Sequence, residues 1–307
     1  MKTALSPLSL VSADEQQIIR LITKDRISIL ASFGITRSCS ARLLQILCVA
    51  VLGLLNLFAH GQDRRLSARS MLIKLLNFFT PVELHGRIRT DKPLFVFFNH
   101  PSIGEIPRIL QLILRTGQDC AFPVSLRWFE IVAPCYERLT SLGIKLMPVV
   151  TPHLQRDFLQ LENHDPAIVQ AFQHLKSVLD RHYLSVCQET CQTGGIIPIA
   201  LSAGREPTVF ASVAAANGQA KLTPTASLLV KKLANCSGDY QLMALAIRPP
   251  REGAGLMLFR KYKFYVQGFY SKALVSRIYP NLRKIDCILA KDISQVLPKN
   301  LCYPKSR

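Results

Sequence analysis

Leu94-Phe-Val-Phe-Phe-Asn-His-Pro-Ser-Ile-Gly-Glu105 joins a short apolar run to a histidine and, five positions later, to a carboxylate. The run Leu94 to Phe98 is opened by Lys92-Pro93 and closed by Asn99-His100-Pro101. Its length, its aromatic content and those flanking breakers predict a buried strand. Beyond the turn, Ile106, Ile109, Leu110 and Ile113 recur at helical spacing, and Pro107 sits in a first turn that tolerates proline. His100 therefore falls at a strand end and Glu105 at a helix start. Such a turn can set an imidazole against a carboxylate, which fixes the ring's tautomer and supports the imidazolium formed when it takes a proton. A loop histidine followed by a glutamate favoured by the helix dipole would give the same pattern with no chemistry.

A second stretch of the same design lies further along. Gly194-Gly195 ends a helical segment, Ile196 to Leu201 reads as another buried strand, and Ser202-Ala-Gly-Arg-Glu-Pro207 follows it. Glycine lets backbone N–H groups approach an anion, and arginine can grip a phosphate with two parallel hydrogen bonds. Taken alone, a Gly-Arg turn is an ordinary loop; its order after the His100 turn, each at a strand end, is what gives it weight.

Together the two stretches resemble the glycerolipid acyltransferase superfamily, which includes the glycerol-3-phosphate and lysophosphatidate acyltransferases. The strand-Asn-His-x4-carboxylate-helix arrangement resembles the superfamily's first motif, a histidine and an aspartate separated by four residues. Ser202-Ala203-Gly204-Arg205 resembles the Ser-Gly-Gly-Arg of the soluble plastid-type glycerol-3-phosphate acyltransferases. The likeness runs from about Val82 to Pro250. It implies His100 as general base toward a glycerol-type hydroxyl that attacks an acyl thioester, with Glu105 orienting and supporting the ring. Backbone N–H groups of the Pro101 to Gly104 turn would face the oxyanion. It also implies Ser202, Gly204 and Arg205 as substrate-binding residues, Arg205 holding a phosphate of the acceptor or of the acyl carrier. The donor would be acyl-CoA or acyl-carrier protein, and the acceptor glycerol-3-phosphate or a lysophospholipid. No metal, cofactor or covalent acyl-enzyme is implied.

The sequence departs from that pattern in three places. Glu105 stands where aspartate is commonest, one methylene longer. Gly143 falls where the second motif has its glycine, but Val149 occupies the position of an arginine that helps hold the acceptor's phosphate in the family; Arg127, Lys145 and Arg156 are the nearby cations. The proline expected in the fourth strand, Tyr240 to Arg248, is replaced by Ala244 or a neighbour. An acceptor without a phosphate, and a non-catalytic membrane-binding or scaffold protein of the same fold, therefore stay open.

The order of elements predicts an α/β domain with a mixed, largely parallel central sheet flanked by helices. The acyltransferase domain is expected over 81–307, with a helical insertion at 151–193 where Ile168, Phe172, Leu175, Val178 and Leu179 recur at helical steps, and with a basic C-terminal part. Residues 1–80 are expected to form a helical membrane-association region. No secretory signal peptide is expected in residues 1–12. Residues 14–31 read as a first helix. Leu43 to Ala59 is the most apolar stretch, at the short end of what crosses a bilayer of ~30 Å hydrocarbon thickness, with arginines on both sides, so a span and a monotopic insertion both fit. Leu66 to Phe79 places Leu72, Leu75, Leu76 and Phe79 on one face, as an interfacial helix or an ordinary core helix would.

The 307 residues carry a formal charge of +18, with 49% hydrophobic and 19% charged residues. That composition excludes a disordered chain and favours an anionic partner. Arg260-Lys-Tyr-Lys-Phe-Tyr interleaves basic and aromatic residues, which suits lipid headgroups and nucleic acid alike. The apolar N-terminal segments favour an anionic membrane surface at the cytoplasmic face, and neither a zinc finger nor a helix-turn-helix pattern favours nucleic acid. Nine cysteines without a C-x2-C pair read as thiols of a reducing compartment. His153, His164, His174 and His182 lack the i, i+4 pairing of a helical zinc site. A serine hydrolase would need Gly-x-Ser-x-Gly, which is absent.

Overall fold

A computed structural model describes residues 6–35, 64–100, 105–161, 165–201, 225–233, 238–250, 258–278 and 283–296. The stretch 43–59, the turn 101–104 and the segment holding Ser202, Gly204 and Arg205 lie outside these. Among the described residues, seven strands form a mixed, mostly parallel sheet in an α/β fold: β1 (Val82–His85), β2 (Leu94–Phe98), β3 (Cys120–Ser125), β4 (Ile144–Val149), β5 (Ile196–Ala200), β6 (Gln241–Arg248) and β7 (Tyr262–Ser271), in the order β1-β7-β6-β2-β5-β3-β4. No described helix is long and apolar enough to cross a membrane.

The chain divides into two compact units, Met1–Ala68 with Phe122–Val186, and Arg69–Ala121 with Cys187–Arg307. In the first, α1 (Glu15–Thr23) and α2 (Ile29–Ser32) replace the single helix expected over 14–31. Arg26 adopts a φ of 55°, and Ser28 begins a new cap by accepting from the Ala31 amide. The break is held by a buried carboxylate: Glu130 accepts from the Ser28 hydroxyl at 2.7 Å and from the Leu30 amide at 2.9 Å. Glu130 lies on α5 (Leu126–Val132). Phe33, Phe158 and Phe172 form an aromatic cluster in this unit, with the Phe158 and Phe172 rings stacked at 4.0 Å.

The second unit holds the chain's central strands. β2 is parallel to β5 on one side and to β6 on the other, with Phe98 level with Ala200 and with Leu245. All five β2 residues are buried, and so are Ile196 to Ile199 and Leu242 to Ile247. Such continuous apolar strands are what a sheet covered on both faces requires. α11 (Arg283–Ser294) packs on β6 and β7. β7 runs antiparallel to β6 from Tyr262, later than the Leu256 to Val266 alternation predicts; an irregularity at Ala244/Leu245 takes up Gln267 as an extra residue, and pairing continues to Ser271.

β2 is thus the keystone strand of the second unit, and its aromatic side chains have no route to solvent. Phe97→Ala is expected to lower the unfolding free energy by about 3–5 kcal/mol through lost burial and the cavity left behind, read as a lower urea midpoint.

Candidate functional site

Three side chains at and beyond the carboxyl end of β2 define the site, beginning with Asn99. Its amide extends the pairing of β2 with β6 by one side chain: Nδ2 donates to the Ile247 carbonyl at 2.8 Å, and Oδ1 accepts from the Ile247 amide at 2.7 Å. On the other side, the Leu201 amide donates to the Phe98 carbonyl at 2.9 Å. The backbone entering His100 is therefore pinned from both neighbouring strands, and Asn99 is buried.

His100 then projects from the end of the strand, and Glu105 opens the helix α4 (Glu105–Arg115). The imidazole Nδ1 meets Glu105 Oε1 directly. The two partners differ in environment: the His100 side chain keeps 18% of its exposure, whereas Glu105 has none. A carboxylate shielded on every side and touching one ring nitrogen leaves Nε2, on the opposite side of the ring, to exchange a proton with a ligand. The start of a helix also favours negative charge at Glu105. The predicted pair is thus brought together. Leu201, the residue before Ser202, directly follows β5, its amide on the Phe98 carbonyl.

Arg108, one helical turn beyond Glu105, was not singled out by the sequence pattern, and it has no solvent exposure. Its Nη2 donates to the Arg260 carbonyl at 2.8 Å, its Nε lies 3.4 Å from the Pro81 carbonyl, and its guanidinium carbon sits 3.9 Å over the Tyr262 ring. Burial lowers its affinity for its proton, and the charges of Tyr262 and Glu105 work against that. The signal that could have revealed it is the Glu105-x-x-Arg108 spacing, which puts the two on one helix face.

The residues weighed for the missing arginine lie in the first unit. Arg127 donates to Asp157 at 2.8 Å. Gly143 has a φ of 81° and follows α6 (Tyr136–Ser141), its amide donating to the Thr140 carbonyl at 2.9 Å, so a conformational need accounts for glycine there. Among the described residues no group of histidines, cysteines and carboxylates could hold a metal ion.

No protein-family model matches the chain, and no curated protein matches it by sequence. Among solved structures it is similar to the 1-acyl-sn-glycerophosphate acyltransferase PlsC of Thermotoga maritima, with a TM-score of 0.42 and 13% identity over 83% of this chain and 98% of that one. The chemistry of the site rests on the residues themselves.

Asn99→Ala removes both side-chain bonds and leaves the amide and carbonyl of Ile247 without these partners. At about 1–3 kcal/mol for each buried group left unmatched, we expect a stability loss of about 2–4 kcal/mol, measured as a lower urea midpoint with an unchanged slope.

Proposed function

We propose that this chain is an O-acyltransferase of the glycerolipid-biosynthesis type, moving a fatty acyl group from acyl-CoA or acyl-carrier protein to a hydroxyl of glycerol-3-phosphate or a lysophospholipid. The observation that carries this reading is the His100–Glu105 contact at the carboxyl end of the central strand. Together with the sequence likeness of the Ser202 to Arg205 segment, it matches what such a transfer needs: a base, a group that orients it, and an anion-binding turn.

In the proposed reaction, Nε2 of His100 takes the proton of the acceptor hydroxyl as that oxygen attacks the thioester carbonyl. Glu105 holds Nδ1–H and supports the charge that forms on the ring. Backbone amides of the 101–104 turn would stabilise the tetrahedral oxyanion. Collapse of the intermediate breaks the carbon–sulfur bond, and the departing thiolate recovers the proton from the imidazolium. Arg205 would bind the phosphate of the acceptor or carrier. The chain's own nucleophiles take no part, so no acyl-enzyme forms.

A lipid substrate fits a surface feature of the second unit. Phe78 and Phe79, at the end of α3 (Arg64–Phe79), and Phe259, before β7, pack edge to face and tilted on one another while remaining 66%, 40% and 57% exposed. Phe259 does so with a φ of 60°, a conformation that a bulky residue rarely adopts. Arg260 and Lys261 are exposed beside it, and exposed Arg115 donates to Asn77, next to Phe78. Aromatic rings ringed by cations suit the interface of an anionic bilayer. The face expected on the helix is in fact shared: Leu72 is buried, while Phe78 and Phe79 are exposed. Association with the cytoplasmic face of a membrane, aided by the apolar stretch 43–59, belongs to the same proposal.

Purified protein offered acyl-CoA or acyl-carrier-protein donors against glycerol-3-phosphate, lysophosphatidate and other lyso-lipids is expected to transfer acyl chains. His100→Ala is expected to lower the rate by about 10²–10⁴. Absence of transfer with every pair, from folded protein, would overturn the reading. For the surface, the double variant Phe78→Ser with Phe259→Ser is expected to weaken sedimentation with phosphatidylglycerol vesicles by about 10-fold or more, since burying one such ring is worth about 1.5–3 kcal/mol.

A further inference from the structure

We propose that Arg248 and Lys263 form a phosphate-binding pair beside His100, taking the phosphate of the glycerolipid acceptor or of the acyl carrier. The proposal rests on the acyltransferase reading for the identity of the substrate, whereas the placement of the pair is a property of the sheet alone.

Arg248 is the last residue of β6. β6 is also the strand to which the base is tied, since the Asn99 side chain holds both backbone polar groups of Ile247. His100 is the residue after one partner of that contact, and Arg248 is the residue after the other. Base and guanidinium therefore leave neighbouring parallel strands, ~5 Å apart, at the same end of the sheet. In open α/β sheets ligands bind outside the carboxyl ends of the strands.

β7 runs the other way, so its beginning lies at that same end. Lys263, its second residue, stands directly opposite Arg248. Side chains so opposed share a face with their β-carbons roughly 4.5–5.5 Å apart, and like charges there repel. Both residues are exposed. An anion that touches both cations removes the repulsion, and a phosphate can do so by meeting a planar guanidinium fork and an ammonium at once. Glu83, level with Lys263 on the edge strand β1, lies 3.8 Å from its ammonium and 2.8 Å from Nε2 of His85. That carboxylate serves the outer side of the pair. Among the described residues, no carboxylate pairs with Arg248.

The position answers a gap in the sequence. Val149 stands where the resemblance calls for a phosphate-holding arginine. Of the cations weighed for that role, Arg127 is engaged by Asp157. Arg248 offers the same chemistry from the strand next to the base. In the chain, Arg205 follows β5, which flanks β2 on the side away from β6. The two arginines would thus give acceptor and carrier a phosphate site each.

The alternative is a solvated pair that adds only to the general positive field of the protein. The full-length chain and its Arg248→Gln, Arg248→Lys, Lys263→Gln and Lys291→Gln variants separate the two; Lys291, exposed on α11, is the charge-matched control. Two readouts are needed: calorimetric titration with glycerol 3-phosphate, a short-chain lysophosphatidate or coenzyme A, each alone, and KM and kcat for each substrate of acyl transfer. In Arg248→Gln we expect the binding of one phosphate ligand to weaken about 10- to 100-fold, as loss of hydrogen bonds between charged groups implies. The KM of that substrate should rise by a similar factor with kcat little changed, because a contact to a non-reacting phosphate is made equally before and in the transition state. The ligand that responds identifies whether acceptor or carrier phosphate is held. Arg248→Lys keeps the charge without the fork and should recover part of the loss. Lys263→Gln should weaken the same ligand less, since Glu83 already shares that charge. Lys291→Gln should leave binding unchanged.

Unaltered binding of all three ligands in Arg248→Gln, an equal loss in Lys291→Gln, or no binding of any of them by the wild-type chain would overturn the proposal. A wild-type chain that binds a phosphate ligand through Arg248 yet transfers no acyl group to any acceptor would remove the acyltransferase reading and leave the phosphate pair standing.

Discussion

The position of β2 between two parallel neighbours is the constraint on which the rest of the site depends. A central strand whose five residues are all buried cannot shift along its axis without breaking pairing on both sides. Asn99 carries that restraint past the last regular pair, because its amide reproduces a strand's own donor and acceptor toward Ile247. His100 is the next residue. The ring is therefore delivered at a fixed height above the sheet edge by interactions made before it, and its direction is then fixed by Glu105. Catalytic groups placed this way need little ordering when substrate arrives, which is the condition for positioned acid–base chemistry.

Buried charge is used repeatedly in this molecule, and each case closes a gap that apolar packing leaves. Glu130 satisfies the start of α2. Arg69 is buried and donates to the Gln118 carbonyl and the Leu114 carbonyl at the end of α4, with Asp119 at 3.5 Å. A helix C-terminus presents unpaired carbonyls and partial negative charge, so a guanidinium there does the work of a cap. α4 thus has a carboxylate at its first residue and an arginine from another helix against its end, both in accord with its dipole.

Much of this was legible in the sequence, for physical reasons particular to each element. Leu94 to Phe98 is apolar throughout, and no amphipathic helix looks like that, so the strand was readable locally. The His100–Glu105 pairing was readable because five residues span one turn. Arg108 was not, since charged side chains are almost never fully buried unless paired, and its anchors at Pro81 and Arg260 are supplied by distant stretches of chain. The β7 boundary was missed for a related reason. Gln267-Gly268 reads as a strand ending, yet the strand runs on through Gly268, where an added β-carbon would crowd the side-chain ends of Asp292 and Tyr270. The first helix was overextended because Ile27 and Ile29 continue an apolar pattern through Arg26, whose backbone the fold turns left-handed.

The net charge of +18 is the least specific observation in the sequence, and the structure shows why counting it is not enough. Arg69 and Arg108 are inside, and Arg127 is matched by Asp157, so these cations shape the protein rather than its surroundings. What matters for a lipid surface is local: exposed cations set around exposed rings. Here that local arrangement is mechanically continuous with the candidate site. The Phe259 amide donates to the Phe79 carbonyl at 2.7 Å, tying the two aromatic segments together, and the next residue, Arg260, gives its carbonyl to Arg108. Arg108 lies one turn along the same helix from Glu105, which touches His100. One guanidinium thus joins the backbone that carries the aromatic cluster to the helix that carries the carboxylate.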